Sequence, residues 1–351
     1  MPIIEATGLA RTFKSRKREV HAVRGVNLSV DEGEIVGFLG PNGAGKTTTL
    51  RMLTTLLRPT AGSATVAGAD LLRDPVGVRR RIGFVPQAIG QTMGGTDNQA
   101  KVIEELHDQG ALYHMGKADT AAQADLLIDQ LDLGGLGDRL VKTLSGGQRR
   151  RLEIALGLVH RPQLVFLDEP TTGLDPQSRS NLWDHIRRLR SDLGTTVFLT
   201  THYLEEADAL CDRVIIIDHG VTVATGTPDE LKRQISGDVV TLRVSGPAAD
   251  AQKLLGAQPI VRDAAVSDSG ELRLTVEHGE EALPALLRTL DGAGITISSI
   301  SLSRPTLDDV FLTLTGRSLR DDSASSSGER SADGEHSAGD DQPELTPAGK
   351  E

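Results

Sequence analysis

The sequence predicts an α/β domain, a smaller α+β domain and a C-terminal tail. Through residue 236, apolar runs of strand length alternate with amphipathic stretches of helix length, which is typical of a sheet covered by helices. Residues 237–316 follow the order β-α-β-β-α-β of a ferredoxin-like fold and end in a short helix. Residues 317–351 are rich in Ser, Gly, Asp and Glu, which predicts disorder. We therefore expect domains at 1–236 and 237–316 and an acidic disordered tail at 317–351.

The composition limits the classes of function that the chain can have. Its formal net charge is −11, and nine acidic against two basic residues from Asp321 to Glu351 place −7 of it in the tail. This balance argues against nucleic-acid binding, which needs a basic surface. The N-terminus lacks the pattern of a signal peptide, and no apolar run approaches the ~20 residues that span a bilayer. The single cysteine, Cys211, excludes an intrachain disulfide and fits a reducing compartment.

A phosphate-binding loop is predicted at residues 40–47, which match the pattern G-x-x-x-x-G-K-T between a strand-like and a helix-compatible run. Glycines let the backbone curl so that N–H groups point at phosphate oxygens, and the helix N-terminus adds partial positive charge. Lys46 is expected to reach the β- and γ-phosphates, the Thr47 hydroxyl to ligate Mg²⁺, and Thr48 to support the α-phosphate. The residues predicted to bind the nucleotide here are Gly40, Pro41, Asn42, Gly43, Ala44, Gly45, Lys46, Thr47 and Thr48.

A second apolar run, residues 164–167, ends in two carboxylates, Asp168 and Glu169. In an α/β sheet, ligands gather at the carboxyl ends of the strands. We expect Asp168 to hold Mg²⁺, directly or through water, and Glu169 to polarise the water that attacks the γ-phosphate. Alone, such a pair would more often be a strand end capped by solvated acids. Beside Lys46 and Thr47, the catalytic interpretation is favoured.

Residues 144–148 read Leu-Ser-Gly-Gly-Gln, just upstream of the acidic strand. This segment reproduces the signature of ABC-type ATPases, and residues 144–176 resemble an ABC ATP-binding subunit without a gap. The resemblance implies an ABC-type P-loop NTPase with a parallel-sheet core, an antiparallel β subdomain and a helical subdomain. It also implies that the signature contacts the γ-phosphate of an ATP held on the opposite subunit, through Ser145, Gly146, Gly147 and Gln148. The following residues, Arg149–Arg151, are interpreted as solvated helix surface.

Four further positions resemble elements of the same family. Gln87, in Val-Pro-Gln, resembles the glutamine loop, which helps to ligate Mg²⁺ and reports the nucleotide state to the permease. Asp175, in Gly-Leu-Asp, resembles the loop that crosses between subunits. His202 follows a strand-like run and resembles the switch histidine that contacts the γ-phosphate. Phe13 occupies the place of the aromatic that stacks on adenine, although a Phe before a hairpin is often only core.

The resemblance also implies an assembly. One chain carries one phosphate loop and one signature, and in this family the two face each other across a head-to-tail dimer. A homodimer that sandwiches two ATP molecules is therefore expected, closing on binding and opening after hydrolysis. The implied partner is an integral-membrane permease of about six helices, with the chain peripheral at the cytoplasmic face of the membrane. The basic run 14–18 is interpreted as a solvated hairpin turn, with anionic lipid contact as the alternative.

The C-terminal motif narrows the kind of transporter. Residues 306–312, Thr-Leu-Asp-Asp-Val-Phe-Leu, and Thr-Gly-Arg at 315–317 resemble the closing motif of daunorubicin-resistance-type ATP-binding subunits. This resemblance spans residues 4–317 and implies export of hydrophobic drugs or antibiotics, such as daunorubicin or doxorubicin. Export of a lipid, glycolipid or polysaccharide by the same motor is the alternative. Residues 94–112 depart from the pattern of these subunits in a segment that normally touches the permease.

Two other classes of ABC protein are disfavoured. Those that act on ribosomes usually carry two ATPase units in one chain, whereas each motif occurs once here. DNA-repair ATPases need a long coiled coil between the phosphate loop and the signature, and the about 100 residues available lack sustained heptads.

Overall fold

The computed structural model describes residues 2–14, 19–87, 99–235, 237–245, 248–266, 271–303 and 306–315. The predicted tail, residues 15–18 of the basic run and residues 94–98 of the divergent segment lie outside these ranges. In chain order the strands are β1 (Pro2–Lys14), β2 (Glu19–Asp31), β3 (Ile35–Leu39), β4 (Ala61–Val66), β5 (Ala69–Asp70), β6 (Ile82–Val85), β7 (Leu164–Asp168), β8 (Thr196–Thr201), β9 (Arg213–Asp218), β10 (Val221–Gly226), β11 (Asp238–Val244), β12 (Val261–Val266), β13 (Leu272–Val276) and β14 (Ile297–Ser303). The α-helices are α1 (Lys46–Leu53), α2 (Pro75–Arg81), α3 (Val102–Leu112), α4 (Lys117–Gln130), α5 (Gly146–Leu158), α6 (Pro176–Leu193), α7 (Leu204–Leu210), α8 (Pro228–Ile235), α9 (Ala248–Gly256), α10 (Gly279–Gly292) and α11 (Leu307–Thr315).

The central sheet of the larger unit has the strand order β10-β9-β3-β8-β7-β6. Strand β10 is antiparallel to β9, and the other neighbours are parallel. Strands β3, β7 and β8 are buried along their whole length, which explains their nearly continuous apolar sequences. Because β3, β6, β7 and β8 run in the same direction, the segments that follow them meet at one edge of the sheet. These segments carry the phosphate loop, Gln87, Glu169 and His202.

An antiparallel sheet of order β2-β1-β4-β5 and helix α1 pack on one face of the central sheet. Their shared core contains Phe38, Phe166 and Phe198, whose rings lie 5.5 Å apart in two tilted pairs. Helices α3 to α7 cover the other face, where Leu106 and Ile186 are fully buried. The expected parallel core, antiparallel β subdomain and helical subdomain are confirmed.

The smaller unit has a sheet of order β12-β13-β11-β14 in which all neighbouring strands are antiparallel. Helices α9 and α10 pack on one face of this sheet, around a core that includes Val240, Leu274 and Leu286. This order is the one that the β-α-β-β-α-β sequence of elements predicts for a ferredoxin-like fold.

The last helix, α11, returns to the larger unit. Leu307, Val310 and Phe311 are buried in the same cluster as the side chains of α6 and α7. The small sheet is thus tied to the larger unit on both sides, through α8 before it and α11 after it. The domain limits predicted from the sequence remain predictions. Across the described parts of the chain, no helix combines the length and apolarity needed to cross a bilayer.

Candidate nucleotide-binding and catalytic site

The predicted phosphate loop links β3 to α1 as a tight turn. Gly43 and Gly45 have positive φ angles of 81° and 105°, in the region that favours glycine. A Cβ on Gly45 would lie 2.6 Å from the carbonyl oxygen of Ala22, so no larger residue fits there without movement. Gly45 is also the N-cap of α1 and offers no side-chain cap. The first amides of this helix therefore remain available to an anion such as phosphate.

Lys46 lies at the centre of this loop and is buried. Its Nζ donates to the carbonyl oxygens of Gly40 at 2.7 Å and Pro41 at 3.1 Å, and lies 3.6 Å from Glu169 Oε1. Burial lowers the pKa of Lys46, and the charges of Glu169 and Asp168 offset part of this effect. The lysine thus places a poorly solvated positive charge beside the loop.

Asp168 ends strand β7 and is buried. Its Oδ1 accepts a hydrogen bond from Thr47 Oγ1 at 3.3 Å and another from Thr200 Oγ1. Burial raises the pKa of Asp168, and the hydrogen bonds from Thr200 and Thr47 partly oppose it. A carboxylate beside a threonine hydroxyl supplies the oxygen ligands that Mg²⁺ prefers, so these residues fit a magnesium site.

Glu169 follows Asp168 with a left-handed backbone, φ 44°, which is uncommon outside glycine and recurs at functional sites. Its amide donates to Thr200 O at 3.1 Å. Gln87 Nε2 donates to Oε2 at 2.6 Å, and His202 Nδ1 lies 3.2 Å from Oε1. Burial raises the pKa of Glu169, but the contact with His202 and the charge of Lys46 outweigh it, so the net pKa lies below the usual value. The carboxylate is therefore ionised at neutral pH and can polarise a water.

The structure brings the predicted catalytic and metal-binding residues into one connected cluster. Its members are Lys46, Thr47, Gln87, Asp168, Glu169 and His202. They come from four segments of the sequence, joined because their parallel strands end at the same edge.

The signature lies at the start of α5. Ser145 is the N-cap and forms a capping box with Gln148, with hydrogen bonds of 3.3 and 3.0 Å. A Cβ on Gly146 would meet nothing within 4 Å, whereas one on Gly147 would lie 3.3 Å from Ser178 Oγ on α6. The signature thus borders the N-terminus of α6 and is open at Gly146.

Asp175 caps that neighbouring helix. Its carboxylate accepts hydrogen bonds from Ser178 N at 3.0 Å and Ser178 Oγ at 2.6 Å. These bonds lower the pKa of Asp175. Within one chain, Asp175 therefore acts as a helix cap.

Phe13, the predicted adenine-stacking residue, is 41% exposed near the end of β1. The Arg11 guanidinium lies over one face of its ring, 4.7 Å from the centroid. This exposure argues against a simple core role.

Sequence reasoning missed Arg150. The interpretation of Arg149–Arg151 as solvated surface is wrong for this residue, which is only 6% exposed. Arg150, Glu153, Ile154 and Gly157 are all buried, at the spacing i, i+3, i+4, i+7 that defines one helix face. Only Ile154 among these residues has a large apolar side chain, so hydrophobic spacing in the sequence does not reveal this buried face.

Comparisons with known proteins agree with this geometry. Residues 23–172 match the family model described as ABC transporter, and residues 226–315 match the C-terminal domain of DrrA1-3-like ATP-binding proteins. The chain is 44% identical over 321 residues to the daunorubicin resistance ATP-binding protein DrrA3 of Streptomyces coeruleorubidus, covering 90% of this chain and 97% of the relative. The chain belongs to the DrrA-like ATP-binding subunits of ABC transporters. As a member of this family, it binds and hydrolyses ATP.

Two further proteins are similar to this chain over most of their length. The daunorubicin/doxorubicin resistance ATP-binding protein DrrA of Streptomyces peucetius is 43% identical over 330 residues, 93% of this chain and 96% of its own length. The Nod factor export ATP-binding protein I of Ralstonia nicotianae is 38% identical over 322 residues, 91% of this chain and 96% of its own length.

Solved structures show the same fold in other ABC cassettes. CbiO1 from Clostridium perfringens, part of the ABC transporter complex CbiONQ, matches with a TM-score of 0.59 and 26% identity, over 66% of this chain and 90% of that one. The dimeric structure of MJ0796, a bacterial ABC transporter cassette, matches with a TM-score of 0.57 and 25% identity, over 64% and 98%. ABC cassettes of this kind act as dimers with membrane permeases.

Proposed function

We propose that this DrrA-like subunit drives efflux of hydrophobic drugs or antibiotics of the daunorubicin and doxorubicin type through a separate membrane permease. The observation that carries the proposal is the similarity to DrrA3 and DrrA, 44% and 43% identical over 90% and 93% of this chain. The permease is expected to have about six helices, with the subunit peripheral at its cytoplasmic side. No nucleic acid is expected among its partners, because the chain carries a net charge of −11.

The proposed roles of the site residues follow from their contacts. Glu169 polarises the water that attacks the γ-phosphate, since its lowered pKa keeps it ionised. Lys46 binds the β- and γ-phosphates, while His202, held beside Glu169, contacts the γ-phosphate. Thr47, Asp168 and the side-chain oxygen of Gln87 would hold Mg²⁺, which neutralises phosphate charge when bound.

We further propose that two copies form a head-to-tail dimer. The capped but open N-terminus of α5 supports this, because a helix N-terminus with glycine at its mouth suits a phosphate oxygen. Ser145 to Gln148 of each chain would then face the ATP held by the phosphate loop of the other. Asp175, beside the signature, would lie at the same interface.

Export of a lipid, glycolipid or polysaccharide is a second candidate function. It is favoured by the 38% identity, over 91% of this chain, to a protein named for Nod factor export. The motor would be the same, and the permease would select the cargo.

Retention of a fluorescent anthracycline tests the first candidate. Cells with the native gene, a deletion, Glu169→Gln and Glu205→Gln would be compared. We expect the deletion and Glu169→Gln to raise retention equally, whereas the exposed Glu205, on the neighbouring helix α7, serves as a charge-matched control with native retention. Equal retention in all four strains would overturn drug efflux and favour the second candidate.

A further inference from the structure

Arg150 is a buried cation that joins three segments of the site. It lies on the signature helix α5 and is 6% exposed. Its Nε donates to the carbonyl oxygen of Pro170 at 2.9 Å, Nη1 to that of Pro86 at 2.7 Å, and Nη2 to that of Asp168 at 3.2 Å. The guanidinium thus links α5 to the segment before Gln87 and to the end of strand β7.

These three carbonyls surround the catalytic groups. Pro86 directly precedes Gln87, and Asp168 and Pro170 flank Glu169 on either side. Glu169 has the left-handed φ of 44°, a conformation that its surroundings must stabilise. The hydrogen bond to the Asp168 carbonyl restrains the peptide plane that precedes Glu169, and the bond to the Pro170 carbonyl restrains the peptide one residue beyond it.

The buried positive charge of Arg150 is balanced by a nearby carboxylate. Glu153 Oε2 accepts from Arg150 Nη1 at 2.8 Å, so the positive charge has a counter-charge one turn along the same helix. Arginine suits this position because its planar guanidinium carries five N–H donors in a fixed arrangement, whereas lysine offers a single compact ammonium group. A lysine at position 150 would retain the charge but could not reach all three carbonyls.

The same helix begins at the signature. Ser145 caps α5, and Arg150 follows about 7.5 Å along the helix axis at 1.5 Å per residue. A helix moves as a nearly rigid rod over this length, so a shift at Ser145 displaces the Arg150 guanidinium. That displacement reaches Gln87 and Glu169 through the hydrogen bonds to Pro86, Asp168 and Pro170.

We propose that Arg150 is a positioning residue that couples the signature helix to Gln87 and Glu169. Docking of the partner's ATP on Ser145 fixes α5, and Arg150 then holds the glutamine segment and the catalytic carboxylate in their working arrangement. This inference rests on the proposed head-to-tail dimer. It explains why a residue outside the nucleotide site is buried against the backbone of the catalytic strand.

A purely structural role makes a different prediction. If Arg150 only stabilised the fold, its substitution would lower the amount of active protein without changing each active molecule. A positioning role instead lowers kcat in folded protein while ATP binding persists, because the hydrogen bonds described for Arg150 go to residues outside the phosphate loop. A fall in kcat with an unchanged KM, measured per folded molecule, therefore distinguishes the positioning role from the structural one.

The experiment compares Arg150→Lys and Arg150→Gln with Arg188→Gln, which changes an exposed arginine on helix α6. Steady-state ATP hydrolysis, fluorescent ATP-analogue binding and Tm are measured on the full chain. We expect at least about a tenfold loss of kcat in both Arg150 variants, with KM and analogue affinity within about twofold of wild type. Arg188→Gln should keep wild-type values.

A second measurement tests whether binding and dimerisation survive. In a Glu169→Gln background, ATP should still drive dimer formation when Arg150→Lys is added, as seen by gel filtration. Wild-type kcat in both Arg150 variants would overturn the inference, as would a kcat loss that matches a loss of folded protein or of analogue binding. A Glu169→Gln chain with native Arg150 that never dimerises with ATP would instead contradict the proposed dimer, which keeps the two failures distinct.

Discussion

Lys46, Asp168 and Glu169 are ionisable side chains that folding removes almost completely from water. Burial lowers the pKa of Lys46 and raises that of Asp168, so each charge is less favourable here than in the unfolded chain. Burial would raise the pKa of Glu169, but contacts with His202, Lys46 and Thr172 keep it below the usual value. Burial of the charged forms of Lys46 and Asp168 therefore opposes folding, a cost that the charges of a nucleotide and a metal in the proposed site would offset.

Asp168→Asn should stabilise the nucleotide-free protein. A raised pKa means that the ionised form of Asp168 opposes folding. This loss of stability is absent below the ordinary Asp pKa of 3.8, and it grows as the pH rises from 3.8 to the higher pKa of the folded state. Asn removes the charge but still accepts from Thr47 and Thr200. We expect a higher Tm at neutral pH for the variant, a difference that shrinks as the pH falls toward 3.8, and loss of the Tm increase that Mg-ATP gives the wild type. A lower Tm of nucleotide-free Asp168→Asn at neutral pH would contradict this account.

At this scale, the sequence motifs predict the membership of the cluster but not its details. Lys46, Asp168, Glu169 and His202 follow from local patterns that end parallel strands. The left-handed backbone of Glu169 does not follow from them, because nothing in a Glu residue favours positive φ; tertiary contacts impose it. Arg150 was misjudged because three consecutive arginines suggest a solvated surface, and Glu153 and Gly157 on the same helix face carry no apolar signal that would indicate burial.

Helix α5 packs on strand β6 through an unusually close backbone approach. A Cβ on Gly83 would collide with the carbonyl oxygen of Gly157, and one on Gly157 would lie 2.9 Å from a Val85 methyl. These glycines let the signature helix approach the strand that leads to Gln87. They therefore set the distance across which Arg150 contacts Pro86.

Gly83→Ala should disturb both stability and activity. The added methyl group meets backbone, which cannot move aside as a side chain would, so we expect a loss of about 1–3 kcal/mol in the free energy of unfolding. Since α5 must shift, kcat should also fall while ATP-analogue binding persists. Gly134→Ala is the control, because its methyl would meet nothing within 4 Å. Urea unfolding and ATP hydrolysis check both effects, and a Gly83→Ala protein as stable as the Gly134→Ala control would contradict the packing argument.

The sequence predicts that helix α11 is buried, but not which core it packs against. Its burial could be predicted, since Leu307, Val310 and Phe311 recur at helical spacing. Its partner could not, because an apolar helix face does not specify which core it joins. The structure places this face against the larger unit although the helix follows the smaller sheet in sequence.

Phe311→Ala should therefore destabilise the larger unit. Phe311 is fully buried in its core, and loss of such a side chain costs about 3–5 kcal/mol. Leu312→Ala is the matched control, because Leu312 is 47% exposed and should change stability by about 0.5 kcal/mol or less. Native-state hydrogen exchange should show the Phe311→Ala effect in α6 and α7. An effect confined to the small sheet would show that α11 belongs to that unit instead.

At the scale of the whole molecule, one chain presents two exposed halves of the proposed nucleotide site. Asn42 in the phosphate loop and Gly146 in the signature are both exposed. Glu169 lies next to Lys46 of the phosphate loop, while Gly147 of the signature lies next to Ser178 of helix α6. A two-fold dimer in which each loop meets the opposite signature would cover both halves at once.

Cysteine cross-linking should distinguish this head-to-tail arrangement from other dimers. Chains with Asn42→Cys and chains with Gly146→Cys would be prepared separately, in a Glu169→Gln background that slows hydrolysis. The native Cys211 does not compete, since it is buried and burial raises its thiol pKa well above the ordinary value. We expect disulfide-linked dimers only when the two variants are mixed and ATP is present, because Asn42 of one chain then approaches Gly146 of the other.

Cross-linking of Asn42→Cys chains with one another would place the two phosphate loops face to face and contradict the head-to-tail dimer. It would also remove the route by which the partner's ATP acts on Ser145, and with it the proposed role of Arg150.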